Sequence, residues 1–263
     1  MKETEHYNIV RVAETGRFKD GRIYVAMEYL KRGSIEDESQ GGFVPITRAQ
    51  KIIIDVLRGL EYAHAKGILH RDIKPANILI GNNDEGKLSD FGLAVKTQKG
   101  VFIQSAREYL YIIHLAPEIM KSQTFTVSSD IYAVGITFYR LINGDNYLPA
   151  VEIDDIKKMI RRGEYPDRTK YRMFVPLCLR RFIHQAIDLE PRNRYKSARS
   201  MRRALERIDI KLDWEEENLE NKTIWESSST NKYYKVELGM DKKKKWYINV
   251  EKGSSRSKLR KIR

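Results

Sequence analysis

The chain reads as an α+β protein: a mostly helical body, a short strand pair before it and a strand-rich basic extension after it. Three observations lead there. The segments 8–12 and 22–30 are β-branched and aromatic, with Asp20-Gly21 as the turn between them. Ile53, Val56, Leu57, Leu60 and Ala63 recur at helical spacing, and Ile131, Val134, Ile136, Phe138 and Leu141 cover more than one helical face. After about Ile210 the pattern changes to alternation. Tyr234, Val236 and Leu238 alternate with Lys235 and Glu237, and Trp246, Ile248 and Val250 alternate in the same way.

Each element has a local reason. Thr47 is placed to cap a helix running to about Lys66, and Gly67 is a natural stop. From there to Ala94 the sequence reads as loops and short strands, with turn residues at 81–86. Ser128 or Ser129 is placed to cap a helix through Ile142, ended by Asn143-Gly144. Further helices are expected near 156–162, 177–189 and 198–208. The alternating segments predict a β-hairpin whose turn is the run Asp241-Lys242-Lys243-Lys244-Lys245, and the basic end, 254–263, is expected to be mobile. There are no internal repeats. The expected boundaries are 1–30, 31–210 and 211–263.

With 263 residues and 41% hydrophobic content the chain can bury a core, and its net charge of +13 favours phosphates, nucleic acid, anionic lipid or acidic proteins. Cys178 is the only cysteine, so no internal disulfide can form, which suits a reducing compartment. Its apolar surroundings, 174–179, predict an inert core thiol. No secretory signal stands at the first residues and no apolar run could span a bilayer, so a soluble, cytoplasmic protein is expected.

The run His70-Arg71-Asp72-Ile73-Lys74-Pro75-Ala76-Asn77-Ile78-Leu79, then Asp90-Phe91-Gly92, then Ala116-Pro117-Glu118, carries chemistry. Asp72 is a candidate proton acceptor. Lys74, two residues on, is a candidate phosphate contact. Asn77 and Asp90 offer the hard oxygen ligands that Mg²⁺ prefers, and Gly92 lets the backbone turn beside Asp90. Taken singly, Asp72 is a turn aspartate, Asn77 a loop residue bonded to its own backbone and Lys74 a solvated charge. Their order is what points to phosphoryl transfer.

Over about residues 6–208 these motifs resemble the catalytic half of the protein kinase family. The resemblance implies a kinase-like large lobe, a truncated small-lobe sheet at 1–30, and ATP-dependent phosphorylation of protein Ser/Thr hydroxyls with ATP and Mg²⁺. It gives Asp72 the role of base, Lys74 the transferring phosphate, and Asn77 and Asp90 the metal. Met27 would be the gatekeeper, the backbone of Glu28 and Leu30 would meet adenine, and Leu79 would form the floor beneath it. His70 resembles the structural histidine beside Asp-Phe-Gly, and Asp130 the buried aspartate that holds the catalytic-loop backbone. Glu118 and Arg194 resemble the ion pair that pins the activation segment. Arg71 resembles the arginine that pairs with a phosphate there, for which Thr97, Ser105, Tyr109 and Tyr111 are candidate acceptors among which the sequence does not choose. The Asp-x-Lys-x-x-Asn spacing is that of the Ser/Thr group. His64, His114 and His184 receive no role.

Two features depart from the family pattern. No glycine-rich loop, strand lysine or helix glutamate can be mapped, because only five residues precede the segment 6–10. Leu110-Tyr111 stands where Ser/Thr kinases carry Gly-Thr. Two readings follow: a Ser/Thr kinase whose small lobe begins upstream of Met1, and a pseudokinase or kinase fragment that acts as a regulatory binding module. In either case Lys242–Lys245 with Trp246 and Tyr247 could meet an acidic partner or nucleic acid, the alternative being a solvated turn with core aromatics.

Overall fold

The structure, a computed structural model, describes residues 5–91, 95–96, 112–229, 232–241 and 244–262. It divides into two compact units: residues up to Val44 with Arg48–Ile208, and Pro45–Thr47 with Asp209–Arg263.

In the first unit, β1 (Val12–Arg17) pairs antiparallel with β2 (Ile23–Met27). Gly21 supplies a φ of +87° in the turn. The expected first strand, 8–12, is displaced because its residues dock elsewhere. Asn8 Nδ2 donates to the Gly86 carbonyl at 3.0 Å, and Val10 N donates to the Leu88 carbonyl at 2.8 Å. This draws Ile9 and Val10 into the core.

Helix α1 (Ile35–Ser39) begins at a capping box in which Ser34 and Asp37 each take the other's amide. Helix α2 (Ile46–Ala65) starts one residue before Thr47, so Thr47 lies within the helix. Its buried stripe, Ile52, Ile53, Val56, Leu57, Leu60 and Ala63, follows the predicted spacing. Gly67, at φ +72°, reverses the chain into β3 (Ile68–Leu69). The short pair β4 (Ile78–Ile80) and β5 (Gly86–Leu88) is antiparallel, and β6 (Val95–Lys96) pairs with β3.

The short helix α3 (Ile119–Ser122) precedes α4 (Val127–Asn143), which is buried from Ser129 to Asn143. Its N-cap is Thr126, upstream of the two expected serines. Ser129 is the other half of the box, its side chain accepting from the Thr126 amide. Helices α5 (Ile153–Arg162), α6 (Leu177–Ala186) and α7 (Ala198–Glu206) complete the body. Cys178 is exposed, contrary to the expected core thiol. Because α6 begins at Leu177, the helical period turns Leu179, Phe182, Ile183 and Ala186 inward and leaves Leu177 and Cys178 outside.

The second unit is a five-stranded antiparallel meander: β7 (Glu215–Leu219), β8 (Lys222–Ser229), β9 (Lys232–Met240), β10 (Trp246–Gly253) and β11 (Arg260–Lys261) in spatial sequence. The expected hairpin is β9–β10 within it. Trp225, Val236 and Val250 lie in register on one face. On the other face, Tyr247 donates to Glu237 at 2.7 Å and Tyr233 to Glu226 at 2.6 Å. Asp241 closes the turn by accepting the Lys245 amide on its side chain and the Lys244 amide on its carbonyl, both at 2.9 Å. Among the described residues no helix is long and apolar enough to cross a membrane.

One tight constraint on the helical body is at Gly135. A Cβ there would stand 2.6 Å from Ile187 Cγ2 and 2.8 Å from Ala186 Cβ, so α4 and the end of α6 approach as closely as they do only because that atom is missing. Overpacking such a contact costs ~1–3 kcal/mol, more than the gain of up to ~1 kcal/mol from removing a helical glycine. Gly135→Val should therefore lower the urea midpoint, with Arg199→Ala as an exposed helical control; an unchanged midpoint would mean that the helices are not in contact there.

Candidate active site

The site is assembled around one carboxylate. Asp130, in the first turn of α4, accepts the amide of His70 on Oδ2 and the amide of Arg71 on Oδ1, both at 2.9 Å, and bonds His64 Nε2 at 2.8 Å. Helix N-termini favour negative charge, so α4 is a suitable origin for this anchor. Burial by itself would raise the pKa of Asp130. The hydrogen bond and charge of His64, the charge of His70 and the Arg71 amide outweigh burial and hold it below the usual carboxylate range. The anchored backbone takes a left-handed turn at Arg71, φ +72°, which a side chain adopts only when its surroundings enforce it.

From this anchor the chain presents Asp72, Lys74 and Asn77 together. Lys74 Nζ meets Asp72 Oδ2 at 2.8 Å, and Asn77 Nδ2 donates to the same oxygen at 2.9 Å and to the Asp72 carbonyl at 2.8 Å. Pro75 opens the 3₁₀ turn that carries Asn77, where its missing N–H costs nothing. The Asn77 carbonyl accepts the amide of Ser89 at 2.9 Å, which brings Asp90 beside the loop. Asp90 is exposed and left-handed, φ +61°.

His70 braces this junction. It accepts the Asp72 amide on Nδ1 at 3.3 Å, bonds the Ser89 carbonyl through Nε2 at 2.9 Å, and its ring lies 4.5 Å from that of Phe91. The two bonds assign the neutral Nε2–H tautomer, and complete burial holds its pKa below the ordinary value.

Of the residues predicted to meet adenine, Glu28 and Leu79 are linked through Lys87. The Glu28 carboxylate meets Lys87 Nζ at 2.9 Å and accepts the Arg11 amide at 2.8 Å. Burial raises the Glu28 pKa, and those two partners more than offset it. Lys87 pairs across the strands with Leu79, and Ile80 N donates to the Gly33 carbonyl, so the segment after Leu30 is stitched to the strand of Leu79. Met27 is 49% exposed and Tyr29 87% exposed.

Glu118 and Arg194 form a bidentate pair at 2.7 and 2.8 Å. Arg194 is buried, donates also to the Asp188 and Ser128 carbonyls, and lies over the Tyr132 ring. Removing one partner of such a pair leaves a charge without compensation, at a cost of ~3–5 kcal/mol.

Residues 1–205 match the protein kinase domain family. The chain belongs to the protein kinase family. Serine/threonine-protein kinase PknJ of Mycobacterium bovis is 34% identical over 145 residues, 54% of this chain and 24% of that protein. Probable serine/threonine-protein kinase PknB of Lactococcus lactis is 28% identical over 202 residues, 76% of this chain and 32% of that protein. Serine/threonine-protein kinase PrkC of Bacillus subtilis is 28% identical over 231 residues, 87% of this chain and 35% of that protein. The chain thus spans between about a quarter and about a third of the length of these relatives.

Within the kinase motifs the structure brings Asp72, Lys74 and Asn77 into direct contact and sets Asp90 next to them. Glu28 bonds Lys87, the cross-strand partner of Leu79, while Met27 pairs with Val12 and the Leu30 carbonyl accepts the Gly33 amide. Gly92, Thr97, Ser105, Tyr109, Leu110 and Tyr111 lie outside the described residues. Two contributors had no role in the sequence. His64 was legible as a polar residue four positions after Leu60, on the buried stripe of α2, where it needs a partner. Lys87 carried no signal, because only strand pairing brings it to Glu28.

The buried histidines give this kinase a pH dependence. Burial, then the charges of Arg140 and Lys74, hold the pKa of His114 well below its ordinary value, and burial lowers that of His70. In the unfolded chain both titrate near ~6.5. The unfolded state therefore binds more protons as pH falls below that value. Stability is full above about pH 6.5 and declines below it, by up to ~1.4 kcal/mol per pH unit for each histidine. Urea midpoints measured from pH 7.5 to 5 should fall, and His114→Leu should make the decline shallower; parallel declines would remove His114 from this account.

Proposed function

We propose that the chain transfers the γ-phosphoryl group of ATP to serine or threonine hydroxyls of proteins. The observation that carries the reading is the Asp72 carboxylate. Lys74 and Asn77 share its Oδ2, so Oδ1 is the oxygen available to a substrate hydroxyl. Asp72 orients the hydroxyl and accepts its proton. Lys74 places a positive charge where the transferring phosphate would carry its negative charge. Asn77 uses its amide nitrogen on Asp72, which keeps its amide oxygen for a cation, and Asp90 offers a carboxylate. These are hard oxygen donors of the kind Mg²⁺ uses alongside phosphate oxygens and water. When bound, the ion would neutralise charge on the phosphates. The Glu28 to Leu30 backbone and Leu79 would hold the adenine. Arg71 is buried against Phe125, its Nε and Nη1 without hydrogen-bond partners among the described residues, which suits a phosphate on the activation segment.

The second reading is a regulatory module that binds without turnover, and the exposure of Met27 and Tyr29 favours it. Incubation with γ-labelled Mg²⁺-ATP and a generic protein substrate separates the two. Label should transfer, and Asp72→Asn and Asp90→Asn should each reduce it by at least ~10²-fold. No transfer by the parent chain, with retained nucleotide binding, would establish the second reading.

The basic end is assigned to acidic partners in the soluble, cytoplasmic setting expected of the chain. Trp246 is its exposed aromatic, at 68%, whereas Tyr247 is tied to Glu237 on the opposite face, so a stacked ligand would engage Trp246 alone. Oligonucleotide binding that weakens with salt and with Trp246→Ala would support nucleic acid as the partner; salt-insensitive or absent binding would exclude it.

A further inference from the structure

The second unit separates two chemistries between the faces of its sheet. On one face stand the acids Glu226, Glu237 and Glu251. Glu226 meets Tyr233 and Arg256, Glu237 meets Tyr247 and Lys222, and Glu251 stands opposite Lys235 across the strands. The other face of β9 and β10 holds Trp246, Ile248 and Val250 in register with Met240, Leu238 and Val236. Among the described residues of these two strands, that face carries no acid.

Exposure on this face rises toward the turn. Trp225 is buried and Val236 and Val250 are half-buried, whereas Trp246 and Ile248 are 68% and 66% exposed, with Met240 exposed beside them. Ile262, whose amide bonds the Val250 carbonyl, is exposed at the same edge. Cations border the apolar stripe at both ends. Lys244 and Lys245 stand exposed before Trp246, and Lys252 stands after Val250 with Arg260 as its partner on β11. The stripe from Trp246 to Lys252 is ~20 Å long at the usual strand rise. Asp241, the acid of the turn, has its side chain on the Lys245 amide. Among the described residues Lys244, Lys245 and Arg260 make no ion pair, and from Lys244 to Ile262 seven side chains are Lys or Arg against one acid, Glu251.

These features select the occupant. A second copy would set the same cations against each other, so the border disfavours self-association. A nucleic acid would stack on Trp246, but it would meet Ile248, Met240 and Ile262 with sugar and phosphate, which gain nothing from aliphatic contact. An anionic bilayer satisfies both parts. Its headgroups meet the cations, and its interface accepts an indole ring and aliphatic side chains. Attachment there strengthens with apolar area and with cationic charge together.

We propose that the β9–β10 edge attaches the chain to anionic phospholipid surfaces, with Trp246, Ile248 and Met240 entering the headgroup region and Lys244, Lys245, Lys252 and Arg260 meeting its charge. The contact lies on the bilayer and spans nothing. The proposal rests on the assignment of the basic end to an acidic partner, which it narrows to a lipid surface, and it is independent of phosphoryl transfer.

The whole chain is mixed with vesicles of phosphatidylcholine alone and of an equal mixture with phosphatidylserine, and co-sedimentation and tryptophan emission are read. The chain should sediment with the mixed vesicles only, and its emission should shift to shorter wavelength as Trp246 leaves water. Trp246→Phe should still bind and should lack the shift. Ile248→Ser should weaken binding several-fold. Lys244→Glu with Lys245→Glu should weaken it at least ~tenfold, since each lysine near such a surface contributes about fivefold. These side chains are exposed, so the melting temperatures should match the parent, and Asp72→Asn should sediment as the parent does. Sedimentation with neither vesicle or equally with both, or binding with unshifted emission, would overturn the proposal. No vesicle binding beside salt-dependent oligonucleotide binding would replace lipid with nucleic acid and keep the acidic-partner reading. Absence of both would sink the two together.

Discussion

The loop that carries Asp72, Lys74 and Asn77 depends on the Asp130 carboxylate. One buried anion at the start of α4 takes two consecutive backbone amides and a histidine from α2. The amides of His70 and Arg71 have no strand or helix partner, and a buried amide without one costs ~1–3 kcal/mol. Asp130 removes that cost and also sets the direction in which the chain leaves the anchor. The left-handed backbone at Arg71 follows from it, and with it the aim of Asp72. A hydrogen-bonded carboxylate is more directional than an apolar contact, which is why packing against α4 would not do the same.

The other charged contacts follow a similar logic. Arg194 is buried and Glu118 half-buried, and their bidentate geometry adds orientation that a hydrophobic pair of equal volume would lack. Buried ion pairs contribute little net stability, since desolvation opposes attraction. Their effect is to fix where α3 sits relative to the segment 188–194. Lys87 and Glu28 play that part between the strands of the first unit, tying the end of β2 to β5.

Much of the site was legible early. Asp72, Lys74 and Asn77 lie within six residues, so local geometry alone brings them together. Asp90 is contiguous with β5, and one strand pair returns it to the loop. The apolar stripe of α2 and the alternation of β9 and β10 were equally plain, since each reflects a period of 3.6 or 2 set by the backbone. The misplaced features are of another kind. Thr126 and not a serine caps α4, the 8–12 segment bonds β5 through Asn8, and Cys178 turns outward because α6 starts at Leu177. Each was decided by competition between neighbouring residues for one role, which periodicity does not rank.

The sequence by itself determined the fold class and the family, because these depend on order and spacing along the chain. Only the tertiary structure decided that His64 joins Asp130 and that Lys87 joins Glu28. His64 and Asp130 are separated by 66 residues, and Lys87 and Glu28 by 59. Nothing in the spacing of such pairs records that they meet. Their contact is a consequence of helices closing over a common core, where a charge excluded from water must bond the nearest group of opposite sign.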